Sequence, residues 1–193
     1  ILFELGQPLH TFDASKISGG KVIVRRAAEG EVLRTLDGVE RKLSPNDMVI
    51  ANEKAPMCIA GVFGGAESGV SETTTDVFIE SAYFDPPSIR RTSKLHGLQT
   101  DASFRYERGC DPDVLIYALK RAALLIQEIA GGHIEGPIQE DYPNKIERKL
   151  IELDYARLDA FVGQKIGREN VKTILEALQY RFIKEDENGV TVE

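Results

Sequence analysis

Val32-Leu33-Arg34-Thr35-Leu36-Asp37-Gly38-Val39-Glu40-Arg41-Lys42-Leu43 sets an Asp-Gly pair between two runs of alternating, β-branched character. Asp-Gly adopts positive φ at low cost, and a tight turn of that kind suits the twist of two paired strands. The stretch reads as a β-hairpin, and its surroundings read the same way. Lys21 to Ala27 carries strand-like residues, and Met48 to Ala51, Met57 to Val62 and Val77 to Ser81 are short runs of strand length. Glycine and small residues crowd Gly61-Val62-Phe63-Gly64-Gly65-Ala66-Glu67-Ser68-Gly69, which predicts a tight loop approached closely by something.

Helical signals follow. Asp85-Pro86-Pro87 opens a helix over Ser88 to Leu95, and His96-Gly97 ends it. Asp111-Pro112 opens the longest helix, with Leu115, Leu119, Ala122, Ala123, Ile126 and Ile129 as a core-facing stripe and Gly131-Gly132 as its end. Gly136 to Asn144 reads as a linker. Beyond it, Asp154 to Val162 and Arg168 to Gln179 read as two short helices, and Phe182 to Glu193 as a hairpin around Asn188-Gly189. The expected fold class is α+β. A β-rich module of mixed sheets with flanking helices covers residues 1–135, and a linker covers 136–146. A partial winged-helix-like two-helix module covers 147–193.

The 193 residues, 42% hydrophobic and 28% charged, supply a core for one ordinary domain and a small companion. No apolar run approaches the roughly 20 residues of a membrane helix, so no membrane partner is expected. Cys58 and Cys110 cannot make a disulfide framework, which suits a reducing cytoplasm. The chain opens Ile1-Leu2-Phe3-Glu4, with neither an initiator Met nor a basic leader, so it is expected to be a piece of a longer protein. The net charge of −7 argues against a free-standing nucleic-acid binder. Locally the balance reverses: Arg90, Arg91, Lys94, Arg105 and Arg108 face only Asp101 and Glu107 between residues 89 and 109. Such a stretch is either a solvated face or a place to receive an RNA end held mainly elsewhere.

Familiar chemistries drop out quickly. His10, His96 and His133 and the two cysteines show no zinc spacing, so no metal site is expected. The glycine-rich loop lacks the Gly-Lys-Ser/Thr ending of a phosphate loop, and Ser68 falls one place late for a serine elbow. What remains is a set of segments in a fixed order. They are Leu5-Gly6-Gln7-Pro8-Leu9-His10-Thr11-Phe12-Asp13, Ala60-Gly61-Val62-Phe63-Gly64-Gly65 and Ile89-Arg90-Arg91-Thr92-Ser93. Gly97-Leu98-Gln99-Thr100-Asp101-Ala102-Ser103 and Arg105-Tyr106-Glu107-Arg108-Gly109-Cys110-Asp111-Pro112 complete it. Together they resemble the third and fourth domains, the editing module, of the bacterial phenylalanyl-tRNA synthetase β-subunit family. Residues from about 147 onward are similar to the start of that subunit's fifth domain.

The resemblance implies an enzyme that joins phenylalanine to tRNA(Phe) with ATP and magnesium on a separate α subunit, in an α2β2 assembly. It assigns no cofactor to this stretch. The β-subunit module would receive the 3′ end of tRNA(Phe) and hydrolyse tyrosine attached by mistake. A pocket shaped for phenylalanine rejects an added hydroxyl by only about 10²-fold, so a second pocket that hydrogen-bonds the hydroxyl is needed. Glu80 matches the family position that reads the tyrosine hydroxyl, and His10 the editing-site histidine that bonds the substrate or its water. Gly61, Gly64 and Ala102 match pocket-lining positions kept small for the aminoacyl group. The family also uses a Thr-Asn pair about a dozen residues before the His10 position, one strand's reach away and ahead of Ile1.

Each residue also has an ordinary reading. Glu80 could be a strand-end carboxylate paired with an arginine, His10 a histidine satisfied in a turn after Gln7-Pro8. Gly61 and Gly64 could serve a tight turn, and Ala102 routine packing. At the level of the whole chain, the alternatives to editing are a non-catalytic scaffold of the same synthetase and a free-standing protein that edits in trans.

Overall fold

The computed structural model describes residues 1–193 and divides into two units, Ile1–Pro137 and Ile138–Glu193. The first begins with α1 (Leu2–Leu5), β1 (Leu9–Asp13), β2 (Ile23–Arg26), β3 (Val32–Arg34), β4 (Glu40–Lys42) and β5 (Met48–Ala51). It continues with β6 (Pro56–Ile59), β7 (Phe63–Gly64), β8 (Val77–Ser81), α2 (Pro86–His96), α3 (Asp101–Tyr106) and α4 (Leu115–Ala130). The strands form a four-stranded sheet in the order β2-β5-β6-β7 and two pairs, β1-β8 and β3-β4, antiparallel throughout.

The β5 strand shows why its sequence is a continuous apolar run. Val49 and Ala51 enter one core with Leu33, Ile59, Ile89 and Leu98, while Ile50 enters a second with Phe12, Met57, Cys58 and Ala60. A strand buried on both faces has no polar alternation to show. The β3-β4 hairpin forms as expected but with a wider loop. Asp37 accepts from Thr35 Oγ1 (2.6 Å) and is held bidentately by Arg41 (2.8 Å and 2.8 Å), with Gly38 at φ +79°. Beyond Arg34 and Glu40 the loop is closed by Thr35 N donating to the Val39 carbonyl (3.0 Å), while Thr35 also bridges Gly65.

Asp85 caps α2 by accepting from Ser88 N (3.0 Å), and Gly97 closes it in the left-handed conformation. The helix is then tied to the loop before β5. The buried Asp47 carboxylate accepts from Thr92 Oγ1 (2.8 Å) and Ser44 N (2.8 Å), and meets His96 Nε2 at 2.7 Å. The sequence reading missed α3, which has six residues and no apolar stripe. Its start is a capping box in which Ser103 N donates to Thr100 Oγ1 (3.0 Å) and Thr100 N to Ser103 Oγ (2.9 Å). The α4 stripe packs as expected at Ala122 and in part at Leu115, Leu119, Ala123 and Ile126, but Ile129 is 80% exposed. The last turn of that helix runs past the body that covers the rest. No helix is long and apolar enough to cross a membrane.

The second unit holds β9 (Ile151–Asp154), α5 (Tyr155–Val162), α6 (Arg168–Ala177), β10 (Phe182–Glu185) and β11 (Gly189–Val192). The two helices and the hairpin were expected; the added strand β9 pairs with β11, giving a sheet in the order β10-β11-β9. Asp154 ends β9 and caps α5 by accepting from Arg157 N (2.7 Å). Val171, Val190 and Val192 form its buried centre.

Candidate functional site

The β1-β8 pair places His10 directly opposite Glu80 and Phe12 directly opposite Phe78. Directly opposed residues of an antiparallel pair point to the same side, so these four side chains share one face. Phe12 is fully buried, and the His10 ring lies 4.4 Å from it, centroid to centroid. An apolar floor thus sits beside a carboxyl and an imidazole.

Neither polar group is satisfied by the protein. Glu80 is half-buried and forms no ion pair or hydrogen bond, which removes the reading of a carboxylate paired with arginine. Burial pushes its carboxyl up to about 7. His10 lies in a strand, not in a turn, and its Nε2 is buried without a protein partner. Burial lowers its imidazole below the ordinary value, so the ring is neutral at pH 7. Most buried polar atoms in folded proteins are paired, so the unpartnered His10 Nε2 opposite an unpaired carboxyl makes this face a candidate ligand site.

Gly64 belongs with this pair. A Cβ there would meet His10 Cε1 and Leu36 Cδ1, each at 2.9 Å. Gly61 is different. It turns at φ +67°, and a Cβ there would meet Phe84 and Ile89 at 2.7 and 2.8 Å, so its lack of a side chain serves the turn and the packing. Gly65 likewise admits the protein itself, since a Cβ there would run into the Met57 carbonyl oxygen. Ala102 packs against the first core from α3. It stands four residues, one helical turn, before Tyr106, which puts both on one helix face.

Tyr106 reaches the same neighbourhood. Its hydroxyl donates to the Pro8 carbonyl (3.0 Å) and accepts from Gln7 Nε2 (3.2 Å), and its ring meets Phe84 edge-on at 4.9 Å. Burial and then the Glu80 charge raise both the Tyr106 phenol and the Cys58 thiol, which sets all three groups close together. A thiol so raised is no nucleophile at neutral pH. Gln7 is fully buried and donates to the Ala82 carbonyl (2.9 Å), while its Oε1 has no protein partner. Sequence reasoning left out Gln7, Tyr106 and Leu36 as contributors to the site. Gln7 and Tyr106 lay inside two of the quoted segments; nothing marked Leu36, whose role comes from the turn that brings it to Gly64. The resulting arrangement can accept a hydrogen bond from a hydroxyl at Glu80 and hold a water or ester at His10 Nε2.

The B3/4 domain family profile matches residues 1–131. The phenylalanine–tRNA ligase β subunit of Bacteroides fragilis strain YCH46 is 48% identical over 192 residues, covering 100% of this chain and 23% of that protein. That of Porphyromonas gingivalis strain W83 is 49% identical over 194 residues, covering 100% and 24%. That of Geobacillus kaustophilus is 44% identical over 186 residues, covering 96% and 23%. Among solved structures, an N-terminal fragment of the phenylalanyl-tRNA synthetase β subunit from Pyrococcus horikoshii aligns at TM-score 0.43 and 12% identity, over 95% of this chain and 52% of that one. The chain thus spans about a quarter of the length of the curated relatives it matches. It belongs to the B3/4 domain family, and over its whole length it is similar to one segment of the phenylalanine–tRNA ligase β subunit.

Proposed function

We propose that this chain is the editing module of a phenylalanine–tRNA ligase β subunit and hydrolyses tyrosine esterified in error to tRNA(Phe). The observation that carries the reading is the directly opposed pair His10 and Glu80, both left without a protein partner on an apolar face. The tyrosyl ring lies against the apolar floor, and its phenolic hydroxyl donates to the Glu80 carboxylate. Phenylalanine in the same place leaves that carboxylate buried and unpaired, which disfavours the correct product of charging. Neutral His10 accepts a hydrogen bond at Nε2 from a water aimed at the ester carbonyl, takes up the proton as the oxygen attacks, and returns it to the ribose oxygen as the ester C–O bond breaks. Gly64 keeps the space beside the imidazole open. No metal or cofactor is assigned to this step.

The whole ligase, in this reading, works in the cytoplasm. It carries the charging site, with ATP and magnesium, on the α subunit, and presents the tRNA 3′ end to this module after transfer. The test is deacylation of Tyr-tRNA(Phe) by the two-subunit ligase. His10→Ala and Glu80→Ala should each slow it while phenylalanine charging stays near wild type. Unchanged deacylation in both variants would leave a scaffold as the better description.

A further inference from the structure

The rung that sets His10 opposite Glu80 belongs to a two-stranded ladder, since β1 and β8 form a sheet of their own. Two strands alone have little hold on their register, and a slip of one residue turns every side chain of a strand to the opposite face. Such a ladder needs anchors at its ends. At the Asp13–Val77 end they are local. Phe12 bridges Gly69, Ala14 N donates to the Asp76 carbonyl (2.9 Å), and Thr74 Oγ1 donates to the Asp13 carboxylate (2.7 Å).

At the other end the ladder stops at Leu9–Ser81, and the next residues outward are Pro8 and Ala82. Proline has no N–H, so the backbone of Pro8 cannot donate across to β8. A side chain does so instead. Gln7 Nε2 donates to the Ala82 carbonyl at 2.9 Å and to the Pro8 carbonyl at 3.0 Å, so one amide joins both strands. The two carbonyls also settle which way that amide points, because its own oxygen in the same place would meet only acceptors. Tyr106 closes the arrangement from α3. Its hydroxyl donates to the same Pro8 carbonyl at 3.0 Å and accepts from Gln7 Nε2 at 3.2 Å. Both side chains are buried, so no solvent replaces these bonds when one partner is removed.

We infer that Gln7 and Tyr106 are positioning residues, which clamp the register of the β1–β8 pair and through it hold His10 opposite Glu80. They act through the two strands, Pro8 standing two residues before His10 and Ala82 two after Glu80. Neither is assigned a contact with the substrate. The inference deepens the editing reading and rests on it only for the chemistry that the placement serves.

A general packing role would lower the stability of the whole unit, whereas a register clamp protects one ladder above the rest. Residue-by-residue hydrogen exchange on the 193-residue chain separates the two, with Tyr106→Phe and Gln7→Met as the variants. Tyr106→Phe keeps the ring against Phe84 and removes only the hydroxyl; Gln7→Met keeps the length of the side chain and removes the amide. In both, the amides of β1 and β8 should exchange about tenfold faster, while those of β5 and β6 keep their wild-type rates. In the two-subunit ligase, kcat for Tyr-tRNA(Phe) deacylation should fall about tenfold in Tyr106→Phe and about a hundredfold in Gln7→Met, with KM little changed, because displaced groups lose the geometry of attack. Exchange that rises by one common factor in β1, β8, β5 and β6 overturns the proposal. So do wild-type exchange in β1 and β8, or wild-type kcat, in both folded variants. If Gln7→Met does not fold, Tyr106→Phe alone decides. Selective loosening of β1 and β8, in a protein whose wild-type ligase leaves Tyr-tRNA(Phe) intact, would uphold the clamp and refute editing, so the two readings fail separately.

Discussion

Replacing Glu80 by Gln should make the protein more stable at alkaline pH while disabling its proposed chemistry. The amide keeps the volume of the side chain and removes a charge that has no partner. In the folded protein burial holds the Glu80 carboxyl at about 7, against an ordinary 4.5. Below pH 4.5 the group is protonated in both folded and unfolded states and contributes nothing. Between 4.5 and 7 the unfolded chain ionises first, so the folded state binds more protons and stability falls as pH rises. Above 7 both states are ionised and the loss levels off. At about 1.36 kcal/mol per pKa unit, reduced because solvent reaches the half-buried group, the full cost is about 2–3 kcal/mol. Urea unfolding of wild type and Glu80→Gln, followed by circular dichroism from pH 4 to pH 8.5, measures it. The two curves should coincide at the acid end and separate by about 2–3 kcal/mol at the alkaline end. A difference that does not change with pH would show that the carboxylate is solvated or paired, and the argument for a site built around it would fail.

Other outcomes follow from the same geometry. Burial lowers the His10 imidazole, so wild type should lose stability as pH falls through 6.5, when the unfolded chain takes up a proton that the folded one refuses; His10→Gln should lose less, read from urea midpoints at pH 7 and pH 5. Gly64→Ala puts a methyl 2.9 Å from His10 Cε1 and should cut Tyr-tRNA(Phe) deacylation by about ten- to a hundredfold with little change in melting temperature. Gly61→Ala should instead act on folding, costing about 1–3 kcal/mol through its positive φ and the Phe84 and Ile89 contacts, as thermal denaturation can report. Asp47→Ala strands Thr92, Ser44 N and His96 and should cost about 2–4 kcal/mol in the same assay.

How much of this was legible beforehand depended on whether a signal was local. The Asp37-Gly38 hairpin, the Asp85 start of α2 and the glycine ends of α2 and α4 are set by neighbours in sequence, and they read correctly. Strand β1 was not read, because Gln7-Pro8 ahead of it argues for a turn and its partner β8 lies far along the chain. The pairing of His10 with Glu80 is a product of that long-range register, so residue types alone could not bring the two together. Sequence resemblance named both, while the ordinary readings of a paired carboxylate and a satisfied histidine fell only once their surroundings were known. Gly61 and Gly64 look equivalent on paper, yet one faces core side chains and the other faces His10. Ile129 fits a helical stripe perfectly and is exposed, since periodicity says which side a residue faces but not whether anything covers it.

The central claim is that Glu80 reads the hydroxyl which separates tyrosine from phenylalanine. Deacylation of Tyr-tRNA(Phe) and Phe-tRNA(Phe) by the two-subunit ligase, wild type against Glu80→Ala, tests it most directly, with the ratio of the two kcat/KM values as the readout. Loss of a charged acceptor for a buried hydroxyl costs about 1.5–3 kcal/mol, so the preference for the tyrosyl ester should fall by about ten- to a hundredfold or slightly more, largely through slower tyrosine clearance. An unchanged ratio, in a variant that is folded and charges phenylalanine normally, would contradict it.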